Sequence, residues 1–319
     1  MATMSSAAGY QNLPVGNWAP AIYSQKVLKY FRRASVVEAI TNTDYTGEIE
    51  NFGDTVNIIK EPTITVKDYA RGQTVNTENL DDNQIQLIID QGSYFAFKVD
   101  DIEERQSHIN FEALATSSGA YALKKNYDYS VLKYIYDNAA TDSTTGTHGS
   151  SIGSTNTGDE LVDLISKAAR VLDENDVPEE NRWFVSSPLT YQILRTAASK
   201  IMDMSVTGGG ESPLMNGRVT DKKLMGFDLY TTNAIVNGSA GSAATQTFGS
   251  STSNQCVFLY GHMSGVATAS HIAKTEVIRD PDSFSDIVRG LHVYGRKVLR
   301  AESDTGFKGV FSGVFTNAA

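Results

Sequence analysis

RDPDSFSDIVRGLHVYGRKVLRAES, Arg279 to Ser303, is the stretch on which the fold turns. Leu291 and Val293 fall on one side of an extended backbone and His292, Tyr294 and Arg296 on the other. Val298 and Leu299 close a strand of more than ten residues. A strand of that length should pair with the period-two segments that begin after Gly53. If it does, the chain leaves one unit near residue 145 and returns to it near residue 270, so the middle is an inserted domain.

Ile64 and Val66 alternate with Thr65 and Lys67, and Ile85, Leu87 and Ile89 alternate with Gln86, Ile88 and Asp90, which predicts two long strands. Between them KDYARGQTVNTENLDD (67–82) is polar, rich in turn formers and without an apolar face. It reads as the tip of a long hairpin that projects from any core and so needs a partner. Phe95, Phe97 and Val99 return the chain to the core, and Asp100-Asp101 caps a short turn of helix. Asn110 then caps a long helix in which Leu114, Ser118, Tyr121, Lys125, Tyr129, Leu132 and Tyr136 recur at spacings of three and four. At ~1.5 Å per residue, Phe111 to Ala139 spans roughly 43 Å, the length of a spine.

Residues 141–158 are a low-complexity Ser/Thr/Gly loop. Thr157 and Glu160 form a capping box for LVDLISKAARVL, and Asn175-Asp176-Val177-Pro178 ends that helix in a turn. Trp183-Phe184-Val185 is a short buried strand, and Ser187-Pro188 starts a helix that runs to about Ala198. Gly226 to Tyr230 is the next strand; a second low-complexity stretch from Asn237 to Gln255 precedes a further strand from Cys256 to Tyr260. At the other end, residues 1 to about 44 contain Pro14, Pro20, a short amphipathic piece from Ser24 to Phe31, and Arg32-Arg33. Such an arm has too few apolar residues for a core of its own, so it lies against the body or against a neighbour.

The 319 residues are 40% apolar and 20% charged, the balance of a folded chain long enough to bury a sizeable core. Acidic residues outnumber basic ones, 37 to 27, and the net charge of −10 is the wrong sign for gripping a phosphate backbone. The single cysteine, Cys256, excludes an intrachain disulfide and cysteine-based zinc sites. No run of 18 apolar residues occurs, and MATMSSAAGY has neither the basic nor the apolar region of a secretory leader. No membrane partner is expected.

Sites of chemistry are scarce. No Gly-Lys dipeptide occurs, which excludes a Walker-type phosphate loop, and no GxGxxG follows a strand. The histidines, at 108, 148, 262, 271 and 292, form no HExxH and no metal-ligand spacing. GHMSG, Gly261 to Gly265, has its serine in the fourth place and not the third of a nucleophile elbow, so it reads as a tight turn. No catalytic, cofactor-binding or metal-ligating residues are assigned. Arg32, Arg33, Arg71, Arg279, Arg289, Arg296 and Arg300 lie near the arm, the hairpin and the long strand, where a planar guanidinium suits ion pairs across an interface. Asp81-Asp82 and Glu103-Glu104 are carboxylate pairs whose members point apart and read as surface charges or salt-bridge partners.

The Arg279 stretch looks like the C-terminal strand region of tailed-phage major capsid proteins, in which an Arg-x-Pro-like turn precedes a V-x-G-L-x-V-Y-G-x-K-V-type strand. Three more stretches resemble that family in the same order. ENLDDNQIQLIID with KVDDIEER is similar to the end of its extended loop and the start of its spine helix, VPEENRWFVSSPLTYQIL to its axial-domain helix, strand and helix, and KLMGFDLYTTNAI to the strand that follows. The resemblance covers nearly the whole chain.

The resemblance implies an α+β fold, the tailed-phage major capsid fold. Its parts would be an N-terminal arm (1–44), an extended loop with peripheral strands (45–100), a peripheral domain with the spine helix (101–145), an axial domain (146–270), and a long peripheral strand with the C-terminus (271–319). It implies no enzyme activity and no cofactor. It also implies hexamers and pentamers of the chain itself, built in the host cytoplasm into the icosahedral head of a virion. The partners implied are a scaffolding protein, a portal protein, a decoration protein, and packaged double-stranded DNA held without sequence-specific contact. By analogy Arg32, Arg33, Arg71, Asp81, Asp82, Glu103, Arg279 and Arg289 are intersubunit residues. Lys60 and Lys67 lie in the extended loop, but no covalent crosslink is expected. Two other readings stay open: a bacterial nanocompartment shell of the same fold, and a hydrolase using carboxylates or His262, which loss of a measured activity on substituting Ser264 or His262 would support.

Overall fold

The structure is a computed structural model that describes residues 35–45, 55–59, 64–75, 77–78, 84–100, 111–141, 158–196, 223–235, 255–281, 283–300 and 308–316. Within the Arg279 to Ser303 stretch, Ser285–Val298 forms β10, the middle strand of a three-stranded antiparallel sheet. One neighbour is β3 (Gln91–Asp100), so the pairing expected with the strands after Gly53 is found. The other is β9 (Val266–Arg279), which runs without a break through residue 270. Leu291 faces Lys274 and His292 faces Ile272, so Ala273 is bulged out of β9.

β1 (Thr55–Ile59) and β2 (Gln84–Ile88) make a separate two-stranded ladder, with Ile58 opposite Ile85 and Val56 opposite Leu87. Here the structure corrects the hairpin: Ile64 and Val66 alternate in sequence but belong to no strand, and TVNII is the partner of QIQLI. The period-two pattern is equal in both segments, and the choice is made by packing. Leu87 and Ile89 are buried against Ala267, Ala269 and Val293, with Val56 and Ile58 packed beside them. This cover also explains why Val293 is buried while Leu291, on the same sheet face, is exposed.

The spine is α2 (Phe111–Asn138), 28 residues and about 42 Å long. Its buried side differs from the stripe expected. Ser118 and Lys125 are exposed, and the buried positions are Tyr127, Val131, Leu132, Ile135 and Tyr136. The reason lies in its neighbours. The N-terminal half runs beside β3, where Gly119 takes the ring of Phe95, and the C-terminal half is pressed between two sheets. The one-turn helix α1 (Val37–Ile40) buries Val37 and Ile40 against the same half of α2, so the end of the arm lies against its own body. The amphipathic piece from Ser24 to Phe31 is outside the described residues.

A six-stranded sheet runs in the order β4 (Ala140–Thr141), β11 (Val310–Thr316), β8 (Gln255–His262), β5 (Arg182–Ser186), β7 (Phe227–Thr231), β6 (Lys223–Leu224). Every residue of β5 is buried because both faces are covered. Trp183 and Val185 join Val257, Leu259 and Val310 under α2, while Phe184 joins Phe258, Tyr260 and Phe311 on the other side. There α3 (Gly158–Glu174) presents Leu161, Leu164, Ile165, Ala168 and Leu172, and α4 (Pro188–Thr196) adds Leu194. Both helices and all three strands that the local signals predicted are present. Arg182, itself buried, ties β5 to the end of α3: it pairs with Asp173 at 2.7 Å and donates to the Val177 and Pro178 carbonyls.

Candidate intersubunit surfaces

The loop between β1 and β2 has its own internal geometry. The amide of Gln73 donates to the Ala70 carbonyl at 2.9 Å, closing a turn in which Gly72 sits at φ 92°, a conformation that glycine adopts without strain. Lys67 pairs with Glu78 at 2.7 Å and the Thr65 amide donates to the same carboxylate. The Lys67 hydrogen bond, then that of Thr65, holds the Glu78 carboxyl below the usual range. The clasp joins the two sides of a loop whose apolar side chains face solvent: Val66 is 93% exposed and Tyr69 68%, with Ile64 and Val75 similar. The polar reading of this tip therefore missed an apolar set, whose only signal was the Ile64/Val66 alternation in a segment that had no partner strand.

A second exposed surface lies on the three-stranded sheet. Tyr94, 77% exposed, stands opposite Leu291, and Phe284, 80% exposed, is at the tip of the β9–β10 hairpin. Around them the charges are paired within the chain. Arg289 reaches Glu276 across the β9–β10 ladder, Arg279 pairs with Asp286 at 3.1 Å, and Lys98 pairs with Asp280. Arg279 and Arg289 are thus brought together on one hairpin, each with an acidic partner of its own. Arg71 is exposed at the loop turn. Arg32, Arg33, Asp81, Asp82 and Glu103 lie outside the described residues, as does Lys60.

The residues a hydrolase would use form a turn. His262 caps the 3-10 helix Met263–Gly265: its Nδ1 accepts from the Ser264 amide at 3.1 Å and lies 2.7 Å from Ser264 Oγ, and the ring is hydrogen-bonded to the Glu180 backbone. Burial, then the Arg300 charge, pushes the imidazole below its ordinary value. Nδ1 is spent on the turn, which is the tight turn that GHMSG predicts. Among the described residues no group of three or more potential metal ligands occurs, and no helix is long and apolar enough to cross a membrane.

A long helix across two sheets, a clasped loop with solvent-facing apolar residues, and an apolar sheet face ringed by ion pairs define a subunit built for contact with other subunits. A family model described as phage capsid protein matches residues 84–309. The chain belongs to the phage capsid protein family; it is a phage major capsid protein, its role is structural, and its place is the capsid of the virion. Among solved structures, a chain from Mycobacterium phage Che8 is 29% identical, with a TM-score of 0.76 over 93% of this chain and 97% of that one. The capsid of the cyanophage P-SCSP1u (17% identity, TM-score 0.69, 94% of each chain) shares the fold. So does the mature capsid of bacteriophage PhiM1 (16%, 0.67, 98% of this chain and 100% of that one). No curated protein matches the chain.

Proposed function

We propose that copies of this chain assemble as hexamers and pentamers into the icosahedral head that encloses the double-stranded DNA of a tailed phage. The observation that carries this is the β1–β2 loop, which holds Ile64, Val66, Tyr69 and Val75 in solvent on an internally clasped frame. Apolar side chains on a pre-shaped projection are stabilised when a neighbour covers them. In this reading the loop lies over an adjacent subunit. Strands β5 to β8 of the six-stranded sheet, with α3 and α4, belong to the axial part, about 146 to 270, which β4 and β11 join from outside that segment, and the α2 and three-stranded-sheet region is the peripheral part. Arg71, Arg279 and Arg289 of the described residues, and Arg32, Arg33, Asp81, Asp82 and Glu103, serve intersubunit contacts.

The net charge of −10 supports a shell that lets DNA slide during packaging, without sequence-specific contact. A scaffolding protein directs assembly in the host cytoplasm, a portal protein takes one vertex, and a decoration protein binds the finished surface. A nanocompartment shell is not favoured, since the family and the similar structures are those of phage capsids.

The test is light scattering and negative-stain microscopy on the purified chain, alone and with a co-expressed scaffolding candidate. Closed shells or capsomer rings are expected, and a monodisperse monomer or dimer in both conditions would overturn the proposal. Deleting Arg71 to Asn79 is expected to leave a soluble subunit that makes no stable shell; normal shells would remove the loop from the mechanism.

A further inference from the structure

A groove of about 390 Å³ opens where β3 begins, lined by Ser93, by Tyr129, Lys133 and Tyr134 of α2, and by Tyr294 and Arg296 of β10. The Arg296 guanidinium lies 5.0 Å from the ring centre of Tyr134 and 6.0 Å from that of Tyr294. Its Nη1 is buried and has no hydrogen-bond partner. Among the described residues neither Arg296 nor Lys133 has an ion-pair partner, whereas Arg182, Arg279 and Arg289 each have one. Asp137 lines the same groove and Asp90 acts on Tyr134, yet neither is paired with Arg296. A charged N–H removed from water without an acceptor is costly, so this fork is shaped for an acceptor that the subunit does not supply.

A carboxylate fits best. A guanidinium beside two aromatic rings pairs well with a planar carboxylate, and the Lys133 ammonium adds a second positive charge. Asp137 in the same groove and a net charge of −10 disfavour a polyanion such as a DNA backbone over a single carboxylate. The chain carries a matching group: Asp68 on the β1–β2 loop is exposed and has no ion-pair partner among the described residues, and it sits between Val66 and Tyr69, both largely exposed. We propose that the groove receives a carboxylate of a second copy of this chain, and that the carboxylate is Asp68, with Tyr69 laid against the tyrosines of the wall. This rests on the capsid reading above and names the contact by which the loop would seat.

The test uses the full chain in the same assembly assay, with a double-mutant cycle of R296Q and D68N. Each single change is expected to raise the subunit concentration needed for assembly by about tenfold or more, and the double change to be no worse than the worse single one. R296K, which keeps the charge without the fork, is expected to recover part of the loss. Circular dichroism and thermal melting of the unassembled subunits confirm that the variants fold. R296Q assembling like wild type, R296Q impaired with D68N unaffected, or losses that multiply in the double variant would each overturn the pairing. Variants that assemble normally but hold less DNA would do so too, by making the ligand a phosphate. Wild-type protein that makes neither rings nor shells would sink the capsid reading itself, an outcome distinct from these.

Discussion

Phe95 on β3 and Gly290 on β10 stand directly opposite each other, so close that a Cβ on Gly290 would come within 2.6 Å of Phe95 Cε1. From the helix side, a Cβ on Gly119 would reach within 2.9 Å of Cδ2 of the same ring. The two glycines therefore form a slot that lets the spine helix settle onto the sheet. G290A is expected to destabilise the subunit by about 1–3 kcal/mol through overpacking. For G119A the alanine's helix preference returns about 1 kcal/mol, so the net loss is smaller. Chemical denaturation of the unassembled subunit checks the order.

Arg182 is the buried link between β5 and the α3 terminus. Replacing it with methionine strands the carbonyls of Val177 and Pro178 and removes the ion pair, an expected loss of about 2–4 kcal/mol. D173N touches only the exposed partner and should cost less than about 1 kcal/mol. Equal losses in the two variants would show that the ion pair, not the carbonyl bonds, carries the link.

His292 is stacked on Tyr294, edge-on to Tyr127, and its Nδ1 is buried without a hydrogen-bond partner. Burial, then the neighbouring His271, lowers its pKa, and burial likewise lowers that of His262. The unfolded chain therefore takes up protons first. This part of the stability is complete above the ordinary histidine value of about 6.5, and it is lost as pH falls below that toward the lowered folded values. Melting temperature should drop over that window, and less so in H292F; an unchanged slope in H292F would assign the effect elsewhere. Histidine titration by NMR gives the folded values directly.

The Arg289–Glu276 pair joins an exposed arginine to a half-buried glutamate across a ladder, so R289A should change subunit stability by only about 1 kcal/mol. If Arg289 also serves a neighbour, R289A shells should dissociate at lower salt than wild-type shells although the subunits melt alike. Identical dissociation would confine the pair to its own hairpin.

Much of the architecture was legible where local chemistry decides it. The Trp183-Phe184-Val185 run, the proline at the start of α4 and the spacing within α2 each identify an element without knowledge of its neighbours. What escaped depends on distant residues. TVNII was chosen over the Ile64/Val66 segment by packing on Ala267, Ala269 and Val293, and β11 drew no strand signal because Val310 and Phe311 are buried on opposite faces and leave no alternation. At the candidate surfaces, arginine near the long strand could be recognised by type. Its partners could not, because the register of β9 against β10 puts Glu276 beside Arg289 and Asp286 beside Arg279.

Strand β11 lies between β4 and β8 in the six-stranded sheet, yet it is synthesised after every other described strand. While the ribosome still holds that segment, Ala140 lacks its parallel neighbour and the β8 edge stands open, with Phe258 and Tyr260 short of Phe311. A chain that stops short of β11 keeps an unsealed sheet and an unfinished platform for α2, so the last strand made is the one on which closure of the sheet depends.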